Sequence, residues 1–457
     1  MRKEEFIKLI FERASDIVDK KSSSMRYFIL LLLSTSLLAS SHRFAGQTYR
    51  RHDAIQQYYQ NQPHDKVHER TTITGDWGGA RGDLIRKGVI FTSEYSADVA
   101  ANPIGGVARG FSYTGSLGTD LKLDLEKLMH MNGWEFYVDF VWRRGTNLSA
   151  TKIGNQFPVQ QVFGGQTMQL NRLLLRYTAF EDRLRVKFGR LNAGNNFLQS
   201  DWYYFYMSNA FCGNPIAVFF NDPAFTAYPH ATWGAVVDVF PLKQIQVQLG
   251  VYNGNSTLQD SKYHGFNFTF NNVEGVQYIG QVKFLLNQET KATMYSGNYS
   301  IGAFVADKAW PKFKGGFAGS NTGWYVLVDQ TIYQPDPKNA DIGVTPFAAF
   351  LFAPKDTNIF PFFFTTGVVY TGAFTGDAQD ALSFGIAYGK YSEDSNEQRD
   401  DQGLAGQNFE MVYELNYKYQ VNHWSYVQPD LQYIVKPKGN SSIQNALVLG
   451  LQFGLTF

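Results

Sequence analysis

Large apolar residues alternate with smaller or polar residues along the C-terminal segment, residues 446–457. Large apolar side chains occupy every odd position there, and small or polar side chains occupy every even one. A period of two is typical of a β-strand, because successive side chains point to opposite faces. A terminal strand that is apolar on one face is expected of a transmembrane barrel, whose outer surface meets lipid and whose interior holds water.

The same alternation recurs along most of the chain after Gly88 and is interrupted by turn residues. We therefore predict an antiparallel transmembrane β-barrel of about sixteen strands, an even number as in bacterial single-chain barrels. Counts of about fourteen or eighteen stay open, because the alternation is weak near residues 203–220, 303–321 and 345–372. A barrel of this size would enclose a water-filled channel.

Composition decides between this barrel and a large soluble β-sandwich, which would show the same alternation. Aromatic residues make up 16% of the chain and charged residues only 18%, below the roughly 25% that is usual for soluble domains. Aromatic girdles and tight turns of a membrane barrel would account for the excess of aromatic residues and glycine. The mean hydropathy of −0.27 argues against a helical membrane protein. The net charge of +1 gives no reason to expect nucleic acid as a partner.

The N-terminal part predicts export. Met25 and Arg26 precede an apolar stretch, residues 28–39, and the small residues Ala39 and Ser41 fit a signal-peptidase site. We assign residues 1–41 to a signal-peptide region, in which residues 1–24 are either a long charged start or lie before the true start codon. Residues 42–73 are predicted to form a polar extension with two helical turns at 53–60, and residues 74–457 the barrel.

The longest segment without clear alternation is residues 192–229, which contains Trp202 and several other aromatic residues. Loops of this length are usually functional or disordered, and one this aromatic is not expected to be disordered. We predict that part of it folds into the lumen as a constriction loop. A loop packed on the rim of the barrel is the alternative.

An ordered set of short motifs runs from Thr74 to the C-terminus. It includes residues 74–81 (TGDWGGAR), 188–191 (FGRL), 232–234 (TWG) and 428–433 (QPDLQY). In this order the motifs resemble the carbohydrate-selective porins of Gram-negative outer membranes, the OprB type. The resemblance implies a sixteen-stranded barrel in the bacterial outer membrane that passes small sugars by diffusion. It also implies a constriction in which charged side chains stand beside aromatic ones.

Charged residues on two neighbouring strands are the candidates for lining that constriction. Glu135, Asp139 and Arg143 share one strand face by their spacing of four and four, and Arg172 and Arg176 share the facing parity of the next strand. The corresponding family strand often carries Glu where these two arginines stand. The arginines either serve the permeating solute or pair with the carboxylates beside them, a contact worth little in a wet channel. The predicted pore-lining and substrate-binding residues are Glu135, Asp139, Arg143, Arg172, Arg176, Arg190 and Trp202.

Two transport functions follow from these residues. The first is passive, selective diffusion of small carbohydrates, and the alternative is a pore for small anions such as sugar phosphates or dicarboxylates. An outer-membrane enzyme is not expected, because no base, nucleophile and orienting group can be assembled from local motifs. An adhesin or a purely structural surface protein is a third class, and it would conduct no solute.

The remaining expectations concern partners. We expect no cofactor and no metal site, and the lone Cys212 excludes an intrachain disulfide. The expected partners are small sugars or small anions, outer-membrane lipid and the barrel-assembly machinery. The last of these is expected because the terminal Phe457 resembles the end of bacterial outer-membrane barrels that this machinery recognises. The oligomeric state stays open between a monomer and a homotrimer.

Overall fold

A computed structural model describes residues 72–271, 275–288, 295–336 and 339–457. The predicted signal region, most of the polar extension and the predicted helical turns at 53–60 lie outside these residues. Strands dominate the described chain. They are β1 Val89–Gly106, β2 Gly110–Asp124, β3 Trp134–Gly145, β4 Thr167–Ala179, β5 Leu184–Leu191, β6 Thr232–Leu242, β7 Ile245–Asn253, β8 Val276–Leu286, β9 Gly297–Asp307, β10 Trp310–Pro311, β11 Phe317–Ala318, β12 Asn321–Gln330, β13 Gly343–Phe352, β14 Phe362–Thr371, β15 Ala381–Lys390, β16 Phe409–Asn422, β17 Ser425–Val435 and β18 Gln444–Thr456.

All described strands except the short hairpin β10–β11 form one closed antiparallel barrel. Each strand pairs with its neighbour along the chain, with β12 following β9, and β1 closes the ring against β18. The prediction of sixteen strands is therefore confirmed. Of the weak regions, residues 345–372 supply most of β13 and all of β14, whereas residues 203–220 supply no strand.

The last strand closes the barrel with the predicted facing. Leu449 and Leu451 are exposed on the outer surface, whereas Val448 and Gln452 are buried on the inside. Gln452 donates a hydrogen bond of 2.7 Å to Asp98 of β1, so the inward face is polar where the ring closes. Period-two patterning thus fixed the register, because a slip by one residue would turn every leucine of β18 inward.

The two ends of the barrel differ in the length of their connections. At the short-turn end lie the start of β1, the end of β18 and tight turns such as residues 180–183 and 243–244. At the long-loop end the chain leaves the wall for the longer segments 146–166, 192–231 and 254–271. Short helices lie at both ends, namely α1 Ala80–Lys87, α2 Leu125–Met129 and α4 Glu393–Asp401, and α3 Ala217–Asn221 lies within the segment 192–231.

Residues 192–231, which we call the inner loop, fold into the lumen, and this confirms the predicted constriction loop. The loop contains a 3-10 helix, Asp201–Phe205, and the single turn of α3. Tyr206 of this loop stacks on Phe211 with ring centroids 4.6 Å apart and meets Phe347 of β13 edge-on at 5.6 Å. The aromatic residues of the loop therefore pack against the inner wall.

We predict that Leu451→Arg destabilises the folded barrel, because it would place a charge on the outward face of β18. Such a substitution near the bilayer midplane costs about 2–4 kcal/mol. Denaturant titration of the protein in lipid vesicles measures the free energy of unfolding. Leu451→Phe is the matched control and should change it little. Equal stability of Leu451→Arg and the parent protein would contradict the assigned facing.

Candidate functional site

Two carboxylates on β16 hold the loops that enter the lumen. The Glu414 carboxylate accepts hydrogen bonds from the backbone N–H groups of Met207, at 2.6 Å, and Ser208, at 3.0 Å. Four residues away on the same strand, Glu410 accepts from the backbone N–H groups of Gln156 and Phe157, both at 2.7 Å. Because strand residues four apart share a face, one strand anchors two different loops.

The second of these loops, residues 146–166, is called the companion loop below. Its Val159 carbonyl accepts a hydrogen bond of 2.9 Å from Gln432 of β17. The Gln160 side chain donates to the backbone carbonyl of Asp98 at 3.2 Å. The companion loop is thus bound to β16 and β17 on one side of the closure between β1 and β18, and to β1 on the other side.

The far end of the inner loop is fixed to the opposite wall. Asn221 exchanges two hydrogen bonds with the backbone of Phe360, of 2.7 and 2.9 Å. The neighbouring Asp222 accepts from the side chain of Gln277 and from the backbone N–H of Ala224. Burial raises the pKa of the Asp222 carboxyl to about 6, although these hydrogen bonds lower it. The inner loop is therefore stretched across the lumen between anchors on β8, on β16 and on the connection that precedes β14.

The lumen narrows where the two loops meet β3. A cavity of about 280 Å³ lies on the long-loop side and one of about 230 Å³ lies on the short-turn side. Six residues line both cavities and so form the narrowing between them: Arg143, Gln161, Asn195, Tyr204, Cys212 and Tyr228. The narrowing combines a guanidinium, two amides, two phenols and a thiol, so it offers hydrogen-bonding groups and aromatic faces side by side.

Arg143 is the charged centre of the narrowing. Its guanidinium carbon lies 5.0 Å from the centroid of the Tyr228 ring, a cation–π distance. Its side chain also fills the space next to Gly164, where a Cβ would lie 2.2 Å from its terminal nitrogen. Arg143 is thereby fixed between the companion loop and the inner loop.

On the short-turn side of the narrowing, charged side chains of β2, β3 and β4 form a ladder on the inner wall. Arg172 forms a salt bridge with Asp139, and its guanidinium lies 3.6 Å from Asp120. The register between β3 and β4 shifts between Val138 and Phe140, a bulge opposite Asp139. Arg172 and Asp139 are both buried.

The second rung of this ladder lies closer to the short-turn end. Arg176 forms a salt bridge with Glu135, which also lies 3.0 Å from the Lys122 ammonium. Tyr137 donates a hydrogen bond of 3.1 Å to the same carboxylate. Each of the two arginines of β4 therefore contacts a carboxylate of β3. The sequence left two roles open for these arginines, and the structure contains one of them, the pairing with neighbouring carboxylates.

The structure corrects the placement of Arg190. Its guanidinium donates 2.7 Å and 3.2 Å hydrogen bonds to the backbone carbonyls of Asn267 and Ala231, and it lies on the outward face of β5. Arg190 is therefore not pore-lining. The alternation of β5 already places it on the same face as Val186 and Phe188, and the prediction missed this signal.

Trp202 lies on the inner loop as predicted, but its ring stacks on Phe205 with centroids 6.0 Å apart. The aromatic residues that line the narrowing are instead Tyr204 and Tyr228. Sequence reasoning also missed Gln161 and Asn195. No periodic signal marks these four, because their positions depend on how two loops meet.

Known proteins resemble this chain over most of its length. The profile described as "Carbohydrate-selective porin, OprB family" matches residues 108–457. Porin B of Pseudomonas aeruginosa is 29% identical over 420 residues, which cover 84% of this chain and 91% of that protein. The high-pH structure of Pseudomonas putida OprB is 27% identical and superposes with a TM-score of 0.78, covering 85% of this chain and 99% of the other. These similarities do not support the alternative of an anion-preferring pore.

We predict that Glu414→Gln loosens the inner loop selectively. A glutamine side chain has one carbonyl in place of two carboxylate oxygens, so one backbone N–H of Met207 or Ser208 loses its acceptor. Leaving a buried donor unsatisfied costs about 1–3 kcal/mol. Hydrogen exchange of these two amides should accelerate.

Glu410→Gln is the matched control, because Glu410 holds the companion loop instead. Faster exchange should then appear at Gln156 and Phe157. If both variants loosen the same loop, or neither loosens any, the carboxylates do not act as separate anchors.

Proposed function

The chain belongs to the carbohydrate-selective porin, OprB family, and on that premise we propose that it lets small carbohydrates diffuse passively and selectively through the narrowing. Family and fold make it a porin of the Gram-negative outer membrane and indicate a channel rather than an enzyme. Porins of this kind have long extracellular loops and short periplasmic turns, so solute would enter from the long-loop end.

The observation that carries the proposal is the composition of the narrowing. Sugars present hydroxyl groups around a ring whose faces are partly apolar. Arg143, Gln161 and Asn195 can hydrogen-bond hydroxyl groups, while Tyr204 and Tyr228 offer aromatic faces. Several weak contacts along one path suit conduction, because a solute must bind well enough to enter and weakly enough to leave.

The charge ladder on the short-turn side of the narrowing supports neutral solutes. Arg172 contacts two carboxylates, and Arg176 and Lys122 share Glu135. Opposite charges at such short range cancel most of each other's field at a distance. A pore that prefers anions would need arginines that are not balanced in this way.

Liposome swelling tests the proposal. The purified protein is reconstituted in vesicles, and the initial swelling rate is measured in isotonic neutral monosaccharides, in disaccharides and in anions of matched size. We expect neutral monosaccharides to enter faster than glucose 6-phosphate. Anions that enter faster than neutral sugars of the same size would overturn the proposal, and protein that conducts no solute would exclude a porin function.

We predict that replacing Arg172 and Arg176 together by Gln lowers the entry of glucose several-fold. The variant removes the two guanidiniums that balance Asp139 and Glu135, so these carboxylates are left without these partners in the wall of the path. Glucose and glucose 6-phosphate uptake into vesicles are compared in the same preparation. Arg190→Gln is the matched control and should leave both rates unchanged, because Arg190 faces outward.

A large fall for the phosphate with little change for glucose would contradict this reading of the arginines. It would mean that the arginines of β4 serve anion transport and that the sugar pathway does not depend on them.

A further inference from the structure

The inner loop leaves a gap in the barrel wall. Strand β5 ends at Leu191, where the chain turns into the lumen, and its pairing with β4 extends only from Leu173 to Ala179 of β4. The preceding part of β4, which includes Met168 and Leu170, has no β5 residue opposite it. An uncovered strand edge of this kind would leave backbone groups unpaired beside the membrane.

Residues 254–271, which we call the outer loop, cover this gap from the outside. The backbone N–H of Leu170 donates to the carbonyl of His264 at 2.9 Å, and the His264 ring nitrogen Nδ1 lies 2.8 Å from the Met168 carbonyl. The chain approaches so closely that a Cβ on Gly265 would lie 2.0 Å from the Leu170 carbonyl oxygen, and Gly265 has a φ of +76°. Only glycine fits both constraints.

Arg190 fastens the outer loop to the wall. Besides its hydrogen bond to Asn267, its guanidinium lies 5.6 Å from the Phe268 ring, and it is only 1% exposed. The Trp233 indole N–H donates to the Phe268 carbonyl at 3.3 Å. An arginine on the outward face is thus covered by loop carbonyls and an aromatic ring, which shields its charge from the bilayer.

The surface that the outer loop turns away from the wall is aromatic. Tyr263, Phe266, Phe268 and Phe270 are 42%, 57%, 43% and 80% exposed, and we call them the aromatic patch. We propose that the outer loop is part of the membrane-facing wall and that its aromatic patch inserts among the acyl chains of the outer leaflet.

Continuity with the outward face of the barrel selects lipid as the occupant. The loop is bound to Met168 and Trp233, which belong to the same outward face as the exposed Trp142 and Phe188 on β3 and β5. In an outer-membrane barrel this face meets hydrocarbon, and aromatic residues concentrate at its borders. The patch extends that apolar surface over the gap. The outer loop becomes polar beside the patch, where Asp260 and Lys262 form an ion pair of 2.8 Å.

Spin labels in the full-length protein test the insertion. Cys212 is replaced by Ser, and a single cysteine is placed at Phe266 or Phe270 and labelled with a nitroxide. The protein is reconstituted in bilayers, and collision with oxygen is compared with collision with a water-soluble nickel chelate. Leu249, 50% exposed on the outer wall, supplies the lipid reference. Phe317, 72% exposed in the β10–β11 hairpin, supplies the aqueous reference, because Lys312 and Lys314 of that hairpin form ion pairs with Asp356 and Asp394.

The expected result is a ratio of oxygen to nickel collisions at Phe266 and Phe270 that matches the ratio at Leu249 and exceeds that at Phe317. A ratio like that of Phe317 would overturn the proposal, because the patch would then lie in water. The proposal would also be overturned if both reagents were excluded and the labels showed dipolar broadening. The patch would then be covered by a second copy of this chain.

A second variant tests the anchor. Arg190→Gln in the protein labelled at Phe270 is expected to increase the mobility of the nitroxide, while the label at Leu249 keeps its mobility. Unchanged mobility at Phe270 would overturn the role of Arg190 in holding the outer loop to the wall.

Discussion

Hydrocarbon offers a polypeptide backbone no hydrogen-bond partner, so the wall of this protein must pair its own N–H and C=O groups. A closed antiparallel ring is the arrangement of strands that does so without an edge, and the pairing of β1 with β18 completes it. Closure also dictates the pattern of side chains. Because each strand has one face in lipid and one in water, apolar and polar residues must alternate along it.

The same requirement governs the inside of the barrel, where loops carry backbone N–H groups into a crowded lumen. There the partners are side chains of the wall and of the loops themselves. Glu410 and Glu414 each accept from a pair of loop amides, and Asn221 pairs with the backbone of Phe360. Buried carboxylates on the inner wall thus serve the architecture of the narrowing, because each buried amide needs an acceptor.

The narrowing itself depends on this anchoring. Its lining comes from β3, the companion loop and the inner loop, so no single element contains it. The arginines beside it are balanced by carboxylates of neighbouring strands, and Arg143 rests on the Tyr228 ring. Local pairing of charge and close contact between charge and aromatic ring produce a polar surface with little net field, as a channel for neutral polyols requires. The outer loop has a matching role on the outer side of the wall. The chain turns inward after Leu191, so the first part of β4 has no β5 residue beside it, and the outer loop covers this edge.

The sequence by itself determined the strand class, the barrel architecture and the outward face of β18, and it left the segment around Trp202 open between the lumen and the rim. It also placed Arg172 and Arg176 beside Asp139 and Glu135. The assignments of strands and of their faces are local, since a period of two assigns each strand residue to a face without knowledge of distant contacts. Tertiary structure alone decided which loop residues form the narrowing, because Tyr204 and Tyr228 reach it only through anchors on remote strands. It also decided that an outward arginine could be tolerated at Arg190, because a loop from beyond β7 returns to cover its charge.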